Sequence, residues 1–190
     1  MEQLTEIRWH GRGGQGVVTA GKVLAETALG ANLYFQAFPD YGPERAGAPI
    51  RAYTRLSQQP ISVHSAIEAP DVVVVLDATV MGAVDVTEGL KSDGVVIVNT
   101  GQSPKELRAQ LGLQGGKVFT VDASHIAIDE LGREMTNTPM LGALAQATGI
   151  FPVSTVAEQI RQSFAKKLRP EVVEANVRAV KRAAAEIAQG

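Results

Sequence analysis

The glycines between residues 11 and 16 are the strongest chemical signal in the sequence. The stretch GRGGQG places glycine at positions 11, 13, 14 and 16, directly before a helical pattern. This spacing satisfies the dinucleotide-binding pattern, in which glycines let backbone N–H groups at a helix N terminus approach a phosphate. We therefore interpret the whole turn as a candidate cofactor-binding site, formed by Gly11, Arg12, Gly13, Gly14, Gln15 and Gly16. The same glycines could instead serve only the close packing of strand, helix and a neighbouring chain.

Arginine and histidine side chains near this turn are the next candidates. Arg45 lies in a loop rich in proline and glycine (residues 39–49), which would hold the direction of its guanidinium group. Guanidinium groups match phosphate geometry, so Arg45 is a candidate cofactor-binding residue, although scattered arginines are more commonly solvated surface charges. His10 borders the turn without a serine, cysteine or carboxylate visibly paired with it, so we expect it to be structural or exposed. We predict neither a catalytic residue nor a metal site.

Hydrophobic patterning indicates the elements that must position these residues. Two runs rich in β-branched residues, 71–79 and 94–100, are typical of strands buried on both faces, whereas residues 50–57 alternate like a half-exposed strand. Helical spacing marks residues 14–29 and the final third of the chain. Further strands are predicted at residues 5–10, 33–38 and 117–123. We expect one α/β domain over residues 1–190, with a Rossmann-like glycine turn, C-terminal helices and a mostly parallel sheet that residues 50–57 could make mixed.

Polar residues end the two buried strands. Asp77 and Thr79 close the first, and Asn99 and Thr100 close the second. Ligands of open α/β sheets bind at the carboxyl ends of the strands, so we take Asn99 and Thr100 as candidate cofactor-binding residues. A nicotinamide enzyme would also need an acidic residue at the end of its second strand. Asp40 is the only candidate in the sequence, and we place it inside the loop.

Helix caps can also be read from the sequence. Asp122 is predicted to cap a helix that begins at Ser124. Asn137 or Thr138 is predicted to cap the helix that contains Pro139 at its start.

Composition excludes several classes of function. The chain has a net charge of −2 and no cysteine among its 190 residues. Without a basic surplus we expect no nucleic-acid partner, and no apolar run approaches the ~18 residues that span a bilayer. The sequence also begins without a basic segment followed by an apolar run, so we expect a cytoplasmic protein without a membrane partner. Because iron–sulfur clusters are held by cysteine, any redox metal must belong to a partner.

Five motifs in order carry a more specific signal. The segment IRWHGRGGQGVVTAGKVLAE is followed by QAFPDYGPERAGAPIRAYTRLS, PDVVVVLDAT, GVVIVNT and NTPMLGALAQATG. Together they resemble the gamma subunit of 2-oxoacid:acceptor oxidoreductases, the pyruvate:ferredoxin oxidoreductase family, most clearly over residues 6–149. Ala46 stands where many relatives carry a second arginine, so the resemblance carries no anion contact over to that position.

The resemblance implies a subunit that works only within a complex. Such enzymes decarboxylate a 2-oxoacid on thiamine diphosphate, pass electrons through iron–sulfur clusters and deliver the acyl group to coenzyme A. Thiamine diphosphate and Mg would lie on alpha and beta subunits and the clusters on a ferredoxin-like subunit, with an NAD or flavin electron-transfer subunit as a further partner. The gamma subunit would close the coenzyme A side of the active centre and brace the thiamine-binding subunits. Alone, the chain would bind no cofactor and be inactive.

Two other functions stay open at this point. The chain could be a free-standing NAD-dependent dehydrogenase that uses the same glycine turn, or a purely structural interaction module. Within the resembling family, the 2-oxoacid could be pyruvate, 2-oxoglutarate, a branched-chain acid or an aromatic acid such as phenylglyoxylate. The electron acceptor could be ferredoxin or NAD.

Overall fold

The computed structural model describes residues 4–40 and 47–190. Its strands are β1 (Thr5–Arg12), β2 (Tyr34–Asp40), β3 (Pro49–Ser57), β4 (Val72–Val75), β5 (Val95–Asn99), β6 (Lys117–Val121) and β7 (Ala188–Gln189). Its α-helices are α1 (Val17–Gly30), α2 (Pro104–Leu111), α3 (Ala123–Leu131), α4 (Asn137–Thr148), α5 (Val153–Phe164) and α6 (Pro170–Glu186). A short 3₁₀ helix spans Ala78–Gly82. None of these helices is both long and apolar enough to cross a bilayer.

The strands form one mixed sheet, which confirms the predicted fold class. Their order is β2-β3-β1-β4-β5-β6-β7. The central strands β1, β4, β5 and β6 run parallel, so their carboxyl ends share one edge. Antiparallel pairs lie on both sides, because β3 opposes β1 and β2, and β7 opposes β6.

Helices cover the two faces of the sheet unequally. All four residues of β4 are buried, as expected for a β-branched strand with apolar partners on both sides. On one face, alternate strand residues pack in a large core with α1, α3, α4, α5 and α6. On the opposite face, the other strand residues form a smaller core with α2 and the 3₁₀ helix.

Alternation along β1 divides apolar from polar side chains. Ile7 and Trp9 belong to the large core, where the Trp9 indole Nε1 donates to Thr54 Oγ1 at 3.0 Å. Arg8 and His10 alternate with them along the strand and are nonetheless buried. Arg8 is satisfied by donating to the backbone carbonyls of Val86 and Glu88.

Two strand ends differ from the sequence expectation. The fourth strand stops at Val75 instead of continuing to Thr79, because the Asp77 carboxylate accepts the Thr79 N–H at 2.9 Å and starts the 3₁₀ helix. Asp40 is the last residue of β2, so its predicted place inside the loop was wrong. Backbone pairing with Arg51 of β3 extends the strand to this residue.

One predicted cap is confirmed and one is wrong. The Asp122 carboxylate accepts the His125 N–H at 2.9 Å and caps α3. Thr136, not Asn137 or Thr138, holds the N-cap position of α4, and it makes no side-chain cap bond. Thr138 instead donates its hydroxyl to Asn176 Oδ1 of α6 at 2.8 Å, so its side chain serves helix packing.

Candidate functional site

The glycine turn, residues 11–16, joins β1 to α1 at the carboxyl edge of the parallel strands. Packing explains two of its glycines: a Cβ on Gly11 would lie 2.6 Å from Val17 Cγ2, and one on Gly16 would lie 2.7 Å from Asn137 Nδ2. Gly14 differs, because it is exposed, has a φ of 94° and would direct a Cβ into open space. Gly14 is therefore where another molecule can approach the backbone of the turn most closely.

Side chains hold the turn in a closed ring of hydrogen bonds. Gln15 Oε1 accepts the Arg12 backbone N–H at 2.7 Å, and Gln15 Nε2 donates to Asp77 Oδ2 at 2.7 Å. Arg12 Nε donates to Thr79 Oγ1 at 2.9 Å, and the Thr79 hydroxyl donates to Asp77 Oδ1 at 2.7 Å. The glutamine of the turn thus fixes its conformation by linking β1 to the residues that follow β4.

The Asp77 carboxyl group is held in its charged form. Burial works to raise its pKa, but hydrogen bonds from Thr79 and Gln15 and the nearby Arg12 guanidinium outweigh burial and lower the pKa. Arg12 Nε lies 3.5 Å from Asp77 Oδ2. A permanent negative charge therefore sits beside the glycine turn.

The turn is also tied to the residues that follow positions 41–46. Arg12 Nη1 donates to the Gly47 carbonyl at 3.0 Å, and the Gly13 N–H donates to the Ala48 carbonyl at 3.1 Å. Arg45, which the sequence singled out as an anion-binding residue, lies outside the described residues, as does Ala46. These two hydrogen bonds nevertheless place Gly47 and Ala48 directly against the turn.

Asn99 lies at the end of β5, where its side-chain bonds hold three elements together. Its Nδ2 donates to the Leu76 carbonyl and to Ser124 Oγ, both at 2.9 Å. Its Oδ1 accepts the Ser124 N–H at 3.1 Å. Thr100 lies differently: its hydroxyl accepts the Gln102 N–H at 3.2 Å and its own N–H donates to the Val121 carbonyl. Asn99 therefore forms a wall of the candidate site, while Thr100 supports a turn beside it.

A crevice of about 360 Å³ lies between the glycine turn and the ends of β4 and β5. Its polar lining residues are Gln15, Asp77, Thr79, Asn99, Ser124, Glu134 and Thr136. The structure thus places Gln15 and Asn99, two of the candidate residues from the sequence, in the lining of one crevice. Sequence reasoning missed Ser124, Glu134 and Thr136: the last two lie between α3 and α4, where no strand-end pattern or motif marks them. Hydroxyl groups and two carboxyl groups make this crevice polar but not cationic.

A second cavity, of about 590 Å³, lies beside β1 and β3 on the face of the sheet that carries the smaller core. His10 lines it and is only 2% exposed. Burial, together with the nearby Arg8 and Arg51 guanidinium groups, lowers the pKa of His10 to about 3. Arg8 Nε donates to His10 Nε2 at 3.1 Å, which requires this nitrogen to be unprotonated. The sequence predicted that His10 is structural or exposed; it is buried, and its hydrogen bond with Arg8 uses the neutral imidazole.

Asp40 is badly placed to bind a nicotinamide ribose. Its carboxylate accepts from Arg51 Nε at 2.8 Å and from the Tyr53 hydroxyl at 3.0 Å. In addition, β3 lies between β2 and β1, so Asp40 does not end the strand next to the glycine turn. Neither feature fits the arrangement of a dinucleotide-binding fold, in which the second strand pairs directly with the first.

Metal-ligating side chains are scattered. Across residues 4–40 and 47–190, no three His, Asp or Glu side chains cluster in a way that could hold a metal ion.

Similarity to known proteins decides the family. Residues 6–186 match the family model described as pyruvate ferredoxin/flavodoxin oxidoreductase. The chain belongs to this family. It is 48% identical over 182 residues to pyruvate synthase subunit PorC of Thermotoga maritima, covering 96% of this chain and 94% of that protein. It is 47% identical over 180 residues to the pyruvate/ketoisovalerate oxidoreductases common subunit gamma of Pyrococcus furiosus, covering 95% of each chain.

Solved structures share the fold. The crystal structure of pyruvate oxidoreductase subunit PORC from Thermotoga maritima matches with a TM-score of 0.87 and 44% identity, over 99% of both chains. The 2-oxoglutarate:ferredoxin oxidoreductase of Magnetococcus marinus matches with a TM-score of 0.75 and 20% identity, over 97% of this chain but 31% of that one. The fold thus occurs both as a separate chain and as one part of a longer polypeptide.

Proposed function

We propose that the chain is the gamma subunit of a multi-subunit 2-oxoacid:acceptor oxidoreductase, which converts a 2-oxoacid to acyl-coenzyme A and CO₂. The observation that carries this proposal is the near full-length similarity, at 48% identity, to a pyruvate synthase subunit. Thiamine diphosphate, Mg and the iron–sulfur clusters are assigned to alpha, beta and ferredoxin-like partner subunits. The absence of cysteine supports this division, since a cluster needs cysteine ligands from another chain.

Pyruvate is the first substrate to test. The Thermotoga maritima relative is named a pyruvate synthase subunit, while the Pyrococcus furiosus relative is named a subunit common to pyruvate and ketoisovalerate oxidoreductases. A gamma subunit that serves two enzymes does not by itself choose the 2-oxoacid. We therefore assign substrate choice to the partner subunits, and the choice between ferredoxin and NAD as acceptor to the electron-transfer subunits.

Within the complex, the glycine turn is proposed to form the coenzyme A side of the active centre. Three features support this placement: Gly14 faces open space, α1 begins there without a capping side chain, and a polar crevice adjoins the turn. Backbone N–H groups at a helix start attract phosphate, so we place the phosphates of coenzyme A near the first turn of α1.

Charge in the crevice refines this placement. Asp77 is ionised and Glu134 also lines the crevice, so the crevice itself would repel phosphate. Amide and hydroxyl groups of a pantetheine arm suit it better, because Asp77, Thr79 and Glu134 offer acceptors for their N–H and O–H groups. Of the candidate residues, Gln15 and Asn99 would then line the crevice around the pantetheine arm. Arg12 and Arg45 would lie towards the phosphates.

Kinetics on the intact complex test this assignment. Arg45→Ala should weaken the binding of coenzyme A, measured by its KM, by about 1–3 kcal/mol if the guanidinium makes a charge-assisted bond to phosphate. The KM for the 2-oxoacid should stay unchanged, because the acid binds on partner subunits. Arg169→Ala is the control, since Arg169 is an exposed arginine at the start of α6 and does not line the crevice. Unchanged coenzyme A kinetics in the Arg45 variant would refute its role and favour a structural role for this loop.

Purification tests the assembly itself. The chain, carrying a terminal tag and expressed in its native host, should co-purify with thiamine-binding and cysteine-rich subunits. The preparation should oxidise a 2-oxoacid only when coenzyme A is present. A chain that purifies alone and binds NADH would favour the dehydrogenase alternative. A complex whose coenzyme A kinetics are unchanged by substitution of Arg12 and of Arg45 would favour a purely structural module.

A further inference from the structure

The outer edge of β2 is an unprotected strand edge. β2 pairs with β3 on one side, and no strand among residues 4–40 and 47–190 pairs with its other side. Residues 31–39 carry no charge, and Tyr34 and Phe35 are 50% and 38% exposed. Proteins usually guard such an edge with charged side chains, bulges or a covering element. The part of the edge before Pro39 and Asp40, residues 34–38, is uncharged and aromatic and is therefore suited to pairing with another chain.

An apolar groove runs beside this edge. On α1, Val18 and Leu29 are 41% and 65% exposed and lie on one helical stripe with Lys22. Phe35 lines two hollows, one of about 430 Å³ with Val18 and Lys22, and one of about 380 Å³ with Leu29 and Tyr34. We call this surface the β2-edge groove; its residues are Val18, Lys22, Leu29, Tyr34 and Phe35.

Charge indicates what can cover the groove. Lys22 makes no ion pair with any described residue. Glu26, the acidic residue that lines the same hollow, is held by Ser163 Oγ at 2.8 Å and by Gln159 of α5. The same surface of a second copy thus offers no free carboxylate to pair with Lys22, so a second copy of this chain is a poor occupant.

We propose that the β2-edge groove docks an extended segment of a partner subunit of the oxidoreductase complex. The segment adds a strand to β2, places apolar side chains against Phe35 and Leu29, and sets a carboxylate opposite Lys22. This inference rests on the proposed function, which supplies the partner. Val18 lies in the first turn of α1, so a subunit that covers the glycine turn reaches the groove without a break.

Hydrogen exchange and cross-linking of the purified complex test the docking. The backbone amides of β2 that point away from β3 should exchange at least about tenfold more slowly in the complex than in the free chain, because strand addition gives these N–H groups acceptors. Carbodiimide, which joins lysine directly to carboxylates, should link Lys22 to an aspartate or glutamate of a partner subunit.

Matched variants separate docking from folding. Lys22→Glu and Phe35→Lys should each lower the yield of partner subunits recovered with the tagged chain by about tenfold or more. Lys166→Glu and Ile128→Lys are the controls, because they make the same charge changes at exposed positions outside the groove. All four chains should keep the unfolding midpoint of the parent chain within a few degrees, since none of the side chains is buried.

The outcomes distinguish this inference from the proposed function. A complex that co-purifies but exchanges the β2 amides as fast as the free chain overturns the docking and leaves the proposed function intact. A free chain that is already dimeric, with protected β2 amides, also overturns it, in favour of a second copy. Failure of the parent chain to recover any partner overturns both.

Discussion

At the scale of single residues, Arg8 and His10 show how a polar pair is kept inside a sheet. Arg8 donates to two backbone carbonyls and to His10 Nε2, so the bond within the pair uses the neutral form of the imidazole. The sequence predicted that His10 is structural or exposed and could not predict this arrangement, because the carbonyls of Val86 and Glu88 are far away in the chain. A non-local contact of this kind leaves no local pattern.

Stability should therefore depend on pH through His10. Its pKa is about 3 in the folded chain, against 6.5 for an unperturbed histidine, so between these values the unfolded chain binds more protons. Stability should rise with pH across this window, and lowering the pH from 7.5 to 5 should cost about 2 kcal/mol. The pKa values of Asp77 and Asp85 are lowered, so these carboxylates do not contribute above pH 5.

Urea unfolding at several pH values measures this dependence. His10→Gln, which keeps an acceptor for Arg8 but cannot be protonated, should flatten the pH dependence between 5 and 7.5 even if it lowers overall stability. An equal slope in parent and variant would show that another group is responsible.

Gly16 is a second residue-scale feature. Gly16→Ala should destabilise the chain by about 1–3 kcal/mol, because the new Cβ meets Asn137 and the backbone has a φ of 79°. Gly30→Ala is the matched control at the other end of the same helix, since its Cβ would meet nothing within 4 Å, and it should be neutral or stabilise by up to about 1 kcal/mol. Denaturant midpoints compare the two, and equal effects would exclude the Asn137 contact as the cause.

At the scale of elements, α4 and α6 pack with their backbones in close approach. A Cβ on Gly142 of α4 would overlap the backbone carbonyl of Val180 on α6, which no side-chain rotation can relieve. Both helices are rich in small residues, so the close approach buries alanines of α6 against α4. The sequence showed a helix here but could not show which glycine lies at the crossing.

Gly142→Ala should therefore be among the most damaging small substitutions in the chain. Pushing α4 and α6 apart should lower the free energy of unfolding by about 3 kcal/mol or more, even though alanine has a better helix propensity than glycine. Gly82→Ala, where a Cβ meets nothing within 4 Å, serves as the comparison and should stay within about 1 kcal/mol. Thermal unfolding followed by circular dichroism gives both values, and a mild Gly142 effect would mean that α6 moves freely.

Elements were predictable where one physical cause dominates. Buried β-branched runs identified β4 and β5, and the glycine spacing identified the turn before α1. The sequence missed α2 and β7 because α2 is short and β7 has two residues. It also missed Glu134 and Thr136, since only the path between α3 and α4 brings them to the crevice.

At the scale of the whole molecule, the chain offers one half of a site. The crevice supplies walls, hydrogen-bond acceptors and a helix start, and the proposed function places thiamine diphosphate and the iron–sulfur clusters on other subunits. We therefore expect the isolated chain to form no acyl-coenzyme A from any 2-oxoacid, and activity to return when the partner subunits are added. If the isolated chain formed acyl-coenzyme A faster than an identically prepared Asp77→Asn variant, this prediction would be contradicted.

Trp9 gives the fold a built-in optical probe. It is the single tryptophan of the chain, it is fully buried, and its indole nitrogen bonds Thr54 across β1 and β3. Gly21 of α1 lies directly over the pair, since a Cβ there would stand 3.4 Å from the indole nitrogen. The fluorescence spectrum of Trp9 contains no signal from another indole. It therefore reports water entry at the contact between α1 and the sheet, close to the glycine turn.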